Sequence, residues 1–187
     1  MNSMIEIVSR SNPKVKDFCR RAKNSCKEDF LLEGRLFVKD VAPEAITDLL
    51  LTDREKDRAV AEAVLSAGGT VSVVSSAVME KICGTDSVQQ IAAFVRKPEI
   101  KRPDRLILLD RLQDPGNAGT IIRSASAFGF GVIFGSDCVN PYGSKAVRSS
   151  AGTICSCYVE KSDLASFIPA LHSSGWSVFS AEADRTA

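Results

Sequence analysis

Residues 108–135, LLDRLQDPGNAGTIIRSASAFGFGVIFG, constrain the fold more than any other stretch. An apolar run, RLILLD, stops at an acid. A turn rich in Pro, Gly and Asn follows, then a helix with a single arginine, then a second apolar run, GVIFG. Apolar runs of four to six residues on either side of one helix are the pattern of a β-α-β unit. A continuous apolar strand such as RLILLD reads as parallel and buried on both faces. Successive units of this kind cross over right-handed, and their ligands bind at the carboxyl ends of the strands. The loop at 115–123 lies at that edge.

The rest of the chain repeats the alternation. SNPKVKDFCRRAKNSCK reads as a helix, with Asn12 as N-cap and Pro13 at the first helical position. Val15, Phe18, Cys19, Ala22 and Cys26 form its buried stripe. Strands are predicted at 30–33, 46–52, 71–75 and in QQIAAFVRK, with helices at 35–41, in DREKDRAVAEAVLSAG and in SAVMEKICG. RKPEIKRPDR, residues 96–105, has two prolines and no apolar period, and is the best linker. The boundary is placed near 98–103, dividing the chain into residues 1–98 and 104–187. In the second part a helix is expected at 117–128, with Asn117 as its cap and Ile121, Ala125 and Phe128 as its core stripe. Gly119, Arg123 and Ser126 then share another face, which leaves the arginine over small residues. A third strand is expected in TICSCYVE, a helix in SDLASFIPALHSSG and a fourth strand in WSVFSAEA.

Composition excludes several classes. No apolar run approaches the roughly 20 residues of a membrane span. No signal-peptide core is present at the start, so a cytoplasmic location is the default. The six cysteines have no C-x-x-C spacing, and the only histidine, His172, sits on a predicted helix, so no metal site and no His-based triad is expected. Cys155 and Cys157 read as buried thiols on one face of a strand. The net charge of +1 hides a basic segment: between Arg10 and Lys27 there are seven basic residues against Asp17 alone. Lys16, Arg20, Lys23 and Lys27 repeat at helical spacing. A stripe of this kind is a solvated face or a track for a nucleic-acid backbone.

Two loops carry the chemistry. Asn117, Gly119 and Arg123 belong to the first. The second, residues 140–152, holds Lys145, Arg148, Ser149, Ser150 and Gly152. Basic groups and hydroxyls at strand ends suit phosphate or ribose oxygens, or a polar surface turn. Together the loops resemble a known family. DRLQDPGNAGTIIRSASAFGF is similar to the first motif of the SpoU–TrmH RNA 2′-O-ribose methyltransferases, N-x-G-x-x-x-R-x-A-x-x-F-G. VNPYGSKAVRSSAGT is similar to the second. IVSRSNPKVKDFCRRAK and FLLEGRLFVKDV resemble the small substrate-binding domain that precedes the catalytic domain in many members.

The resemblance implies an α/β fold: a small N-terminal RNA-binding-like domain, then a parallel-sheet, knotted Rossmann-like methyltransferase domain of the SPOUT class. The family's third motif, a Gly-Glu-Gly loop followed by Ile-Pro and an Asn-containing helix, does not appear before the chain reaches SAEADRTA. The methyltransferase domain is therefore expected to be incomplete at its C-terminus, with Ala181 the one position left for the cofactor, S-adenosylmethionine. The resemblance carries over Asn117, Arg123 and Ser150 as catalytic residues for methylating a ribose 2′-hydroxyl of rRNA or tRNA. Guanidinium groups keep their proton to above about pH 12, so Arg123 is read as a cation that holds phosphate and stabilises the developing alkoxide, not as a base. Asn117 would orient Arg123 or the ribose, and Ser150 would bond the nucleotide or the arginine. Lys14, Lys16, Arg20, Lys23, Lys27, Lys145 and Arg148 would contact the RNA. A homodimer through the methyltransferase domain is implied, with no membrane partner. The rival reading is an RNA-binding module or remnant without turnover, and a small-nucleotide-binding α/β protein is the third.

Overall fold

The computed structural model describes residues 4–24, 28–85 and 88–181. Lys27, Cys26 and the last two residues of the expected fourth strand lie outside them.

The first part builds one five-stranded sheet. Its elements are β1 (Ile5–Ile7), α1 (Pro13–Asn24), β2 (Asp29–Glu33), α2 (Arg35–Lys39), β3 (Ile46–Leu51), α3 (Arg58–Ser66), β4 (Thr70–Val74), α4 (Ser76–Cys83) and β5 (Ile91–Arg96). The strand order is β1-β4-β3-β5-β2. β1, β4 and β3 run parallel, and β5 is antiparallel to both β3 and β2, with Phe30 opposite Val95. The three-residue β1 is an addition to what the sequence predicts. Local signals set the helix ends. Asn12 Oδ1 accepts the Lys14 amide at 2.9 Å, the Ser75 hydroxyl oxygen accepts the Val78 amide, and α4 stops at Gly84 in the left-handed region.

The period of two divides this sheet between two cores. Leu31, Leu50, Ala92 and Phe94 face α1 and α4, where Val15, Phe18, Val78, Met79 and Ile82 meet them. Phe30, Leu32, Leu49, Leu51, Ala93 and Val95 face the other way, into a core shared with the second part of the chain. That explains why the edge strand β2 is buried at all five positions. Arg21 fastens α1 to the sheet: its guanidinium donates to Asp48 at 2.7 Å, pairs with Asp29 and lies over the Phe94 ring, 4.1 Å from its centre. This member of the basic segment is structural.

The second part contains β6 (Leu106–Leu109), α5 (Pro115–Ala127), β7 (Gly131–Phe134), α6 (Ser144–Ser149), β8 (Val159–Lys161) and α7 (Leu164–Ser173). The strands are parallel in the order β6-β7-β8. β7 is buried at every position, but β6 is only half-buried at all four, because it lies at the sheet edge among the described residues. Three further expectations are corrected. Residues Thr153–Cys155 form a 3-10 turn and the strand begins only at Val159, so Cys155 and Cys157 do not share a strand face. Residues 176–181 form no strand, and Phe179 is 90% exposed. The core stripe of α5 is Ala118, Ile122 and Ala125, so of the expected set Ala125 is buried, Ile121 is half-buried against the same core and Phe128 is exposed. Gly119 also turns inward, against α6.

Candidate active site

The two loops meet at the carboxyl edge of β6 and β7. Asp114, not Asn117, caps α5: its carboxylate accepts the Asn117 amide at 2.7 Å, and Pro115 occupies the first turn. Asp-Pro is the stronger cap signal, since proline at the first helical position gives up an N–H that would have no partner there. The loops are then laced together. The Val139 amide donates to the Leu112 carbonyl at 2.7 Å, the Gln113 side chain donates to the Asp137 carbonyl at 2.6 Å, and Lys161 donates to the Cys138 carbonyl at 3.1 Å.

Gly119 is the contact point of α5 and α6. A Cβ placed there would lie 2.4 Å from the Ala146 carbonyl oxygen, 2.5 Å from the Ser149 Cβ and 2.7 Å from the Ser150 nitrogen. The two helix backbones touch, and only glycine permits it. This contact brings the first motif against the second.

The sequence-derived candidates fall into three groups. Asn117 and Arg123 lie on the exposed face of α5, together with Thr120 and Ser124. Arg123 makes no ion pair among the described residues. Ser150 is different. It is fully buried, its hydroxyl donates to the Val147 carbonyl at 2.7 Å, and its own carbonyl accepts the Thr153 hydroxyl at 2.7 Å. It closes α6, with its hydroxyl turned to the Val147 carbonyl. The third group is basic. Lys14, Lys16 and Lys23 are exposed, and Arg20 is exposed but paired with Asp17. Lys145 is exposed, 4.0 Å from Asp114. Arg148 is exposed as well, and one guanidinium nitrogen donates to the buried Glu33 carboxylate at 2.8 Å. Ala181 is exposed and belongs to no strand.

Glu33 is the residue that sequence reasoning missed. The signal was present: an acid inside the apolar run FLLEG, just before a glycine and a helix. Burial and the nearby Glu33 carboxylate push the Cys83 thiol up, so Cys83 stays neutral beside the Glu33–Arg148 pair. Burial likewise pushes Cys155 and Cys157 up to about 11, the opposite of a metal-ligating or redox-active thiolate.

Residues 104–187, which hold both loops, match the model of the SpoU rRNA Methylase family. Over 184 residues the chain is 30% identical to a protein of Bacillus subtilis named 23S rRNA (guanosine(2553)-2'-O)-methyltransferase RlmP, covering 94% of this chain and 73% of that one. The chain belongs to the SpoU rRNA methylase family. Its fold is similar to the crystal structure of an rRNA methyltransferase from Sinorhizobium meliloti, with a TM-score of 0.78, 27% identity, and coverage of 89% of this chain and 68% of that one. The AdoMet-bound structure of an rRNA methyltransferase from the same organism matches equally well, with a TM-score of 0.78 at 26% identity, covering 91% and 69% of the two chains. The Asn-x-Gly and Lys-to-Gly segments sit together at the strand ends, joined through Gly119.

Proposed function

We propose that this SpoU chain transfers a methyl group from S-adenosylmethionine to a ribose 2′-hydroxyl of rRNA or tRNA. One observation carries the reading: the likeness to the Bacillus 2'-O-methyltransferase over 94% of this chain and 73% of that one. In support, the segments 115–123 and 144–152 are packed against each other at Gly119. Residues 1–98 are proposed to bind the RNA and residues 104–187 to carry the transfer.

S-adenosylmethionine supplies the methyl group as an activated sulfonium. The chain's own residues act on the ribose. A hydroxyl is a poor nucleophile until its proton leaves, so charge developing on its oxygen must be met by a fixed cation. Arg123 is proposed for that role because its guanidinium is exposed and has no internal carboxylate partner among the described residues. Asn117, six residues nearer the helix start and also exposed, would orient the ribose or Arg123. Ser150 would act at one remove, by holding the end of α6. Lys14, Lys16 and Lys23 would follow the RNA backbone.

A homodimer through residues 104–187 is proposed from the resemblance, with support from the exposed Phe128 and the half-buried β6; light scattering that finds only monomer would refute it. No helix among the described residues is long and apolar enough to cross a membrane. The cytoplasm is proposed as the location because the substrate RNAs are there. The function is tested by mapping 2′-O-methyl sites in a deletion strain, beginning with the 23S rRNA guanosine in the Bacillus relative's name, and by in vitro transfer of labelled methyl. RNA binding without transfer, and an unchanged methylation map, would favour the non-catalytic binding module.

A further inference from the structure

The turn that follows α6 is held from outside its own sheet. At one end, Arg148 donates to Glu33, the last residue of β2, at 2.8 Å. At the other end Phe37 of α2 lies over Gly152, so close that a Cβ there would come within 2.8 Å of the ring. Between the two grips the backbone is strained. Ala151 has φ +49 and Gly152 φ +82, successive residues in the left-handed region, which alanine adopts at a cost. Such a turn persists only where its surroundings over-determine it. Ser150 lies inside it, and Gly119 of α5 rests on the Ser149 and Ser150 backbone.

The ion pair is not the only contact across this junction. Phe30 already packs on Tyr142 across the same junction, with ring centres 5.2 Å apart. The Glu33 side chain is 3% exposed, so its carboxylate has been taken almost wholly out of water, and replacing such a pair by apolar groups is often neutral or stabilising. What a buried carboxylate supplies and an apolar side chain does not is direction, because it fixes where the Arg148 guanidinium points. A groove of about 380 Å³, lined in part by Glu33, Arg35, Leu36, Gln89 and Arg148, opens beside the pair. RNA that enters the groove meets the pair directly.

We propose that Glu33 is a positioning residue for methyl transfer: through Arg148 it sets the 149–152 turn, and through Gly119 that turn sets the face of α5 that carries Asn117 and Arg123. The proposal rests on the ribose-methylation reading. Two variants of the intact enzyme test it. Glu33→Gln removes the charge at constant shape, and Glu33→Leu replaces the carboxylate by an apolar group of similar volume. Both are expected to lower kcat at least tenfold with KM for RNA within threefold. Because Arg148 is 38% exposed and returns to solvent when its partner is removed, Glu33→Leu is expected to keep the wild-type thermal midpoint within a few degrees, which separates positioning from folding should the glutamine variant fail to fold. A kcat within twofold of wild type in Glu33→Leu overturns the proposal. Hydrogen exchange at the Ala151, Thr153 and Cys155 amides, bonded to the Arg148, Ser150 and Gly152 carbonyls, reads the turn without any turnover. It is expected to quicken at least tenfold in both variants. A wild-type protein with no transferase activity would refute the methylation reading alone. Unchanged exchange in the variants would refute the positioning role alone.

Discussion

Gly119→Ala is the sharpest perturbation of the site, because one methyl group separates the two motifs. The new Cβ would lie 2.4 Å from the Ala146 carbonyl oxygen and 2.5 Å from the Ser149 Cβ. Ordinary contact begins about 1 Å further out, so α5 and α6 must separate by about that much. Neither neighbour is a flexible chain end; both belong to the α6 helix. Alanine in a helix interior recovers about 1 kcal/mol of propensity over glycine. Forcing an extra methyl into a packed contact costs about 1–3 kcal/mol, and backbone-to-backbone contact puts this site at or above the upper end. The net expectation is a loss of about 2 kcal/mol, or roughly 4–8 °C in thermal midpoint for a chain of this size. The functional loss should be larger, because a 1 Å displacement of a catalytic group can cost about a hundredfold in rate. Midpoints come from calorimetry and rates from single-turnover transfer of labelled methyl. A Gly119→Ala protein with wild-type midpoint and wild-type rate would refute the close approach of the two helices and the site built on it.

Arg123→Ala is expected to lower turnover at least a hundredfold, about 3 kcal/mol, the scale of removing a preorganised charge. Its RNA affinity by filter binding should stay within about tenfold, and wild-type turnover would remove Arg123 from the site. Changing Lys14, Lys16 and Lys23 together to Glu should weaken RNA binding and flatten its salt dependence by about 0.7–0.9 log units per lost phosphate contact; an unchanged slope would make this an ordinary solvated face. Asp57, buried and held below the usual carboxylate range by its hydrogen bonds from Arg35, should stabilise the fold above about pH 4. That contribution is lost as pH falls through the lowered folded value, so acid melting curves of Asp57→Asn should be flatter than wild type, and identical curves would show that the pair does not contribute.

The β-α-β unit was legible because its signals are local: an apolar run, Asp-Pro-Gly, a helix ended by Gly129, a second apolar run. Gly119 could be read as a point of close approach, although nothing in the sequence says that α6 is what approaches. The misreadings share a cause. Residues 153–160 alternate well enough to suggest a strand, yet the buried pair is Ile154 and Cys157, the i, i+3 spacing of a 3-10 turn. Residues 176–181 have strand-forming composition, but a strand needs a neighbour's ladder, and they pair with no described strand. Ser150 reads as an exposed loop hydroxyl in a run of polar residues. Its nitrogen lies against Gly119, thirty-one positions earlier, and the Gly152 that follows it in the same turn is covered by Phe37, more than a hundred positions earlier. Those distances lie beyond any periodicity.

The linker separates the two sheets but not their cores, and this bears on how the site is built. Four contacts from the first part converge on residues 142–152. Phe30 packs on Tyr142, Lys97 lies 4.6 Å from the centre of the Tyr142 ring, Glu33 accepts from Arg148 and Phe37 covers Gly152. Two are apolar or aromatic packing, and buried aromatic rings bring about 150–250 Å² each to such contacts. At about 25 cal/mol per Å² that area supplies the cohesion. The polar contacts add little net energy after desolvation, but they are directional. Packing therefore holds the second loop against the first sheet, and the Glu33–Arg148 pair fixes its angle. The groove lies at this junction, so under the proposed function RNA that enters it would act on the second loop through side chains already in contact with that loop.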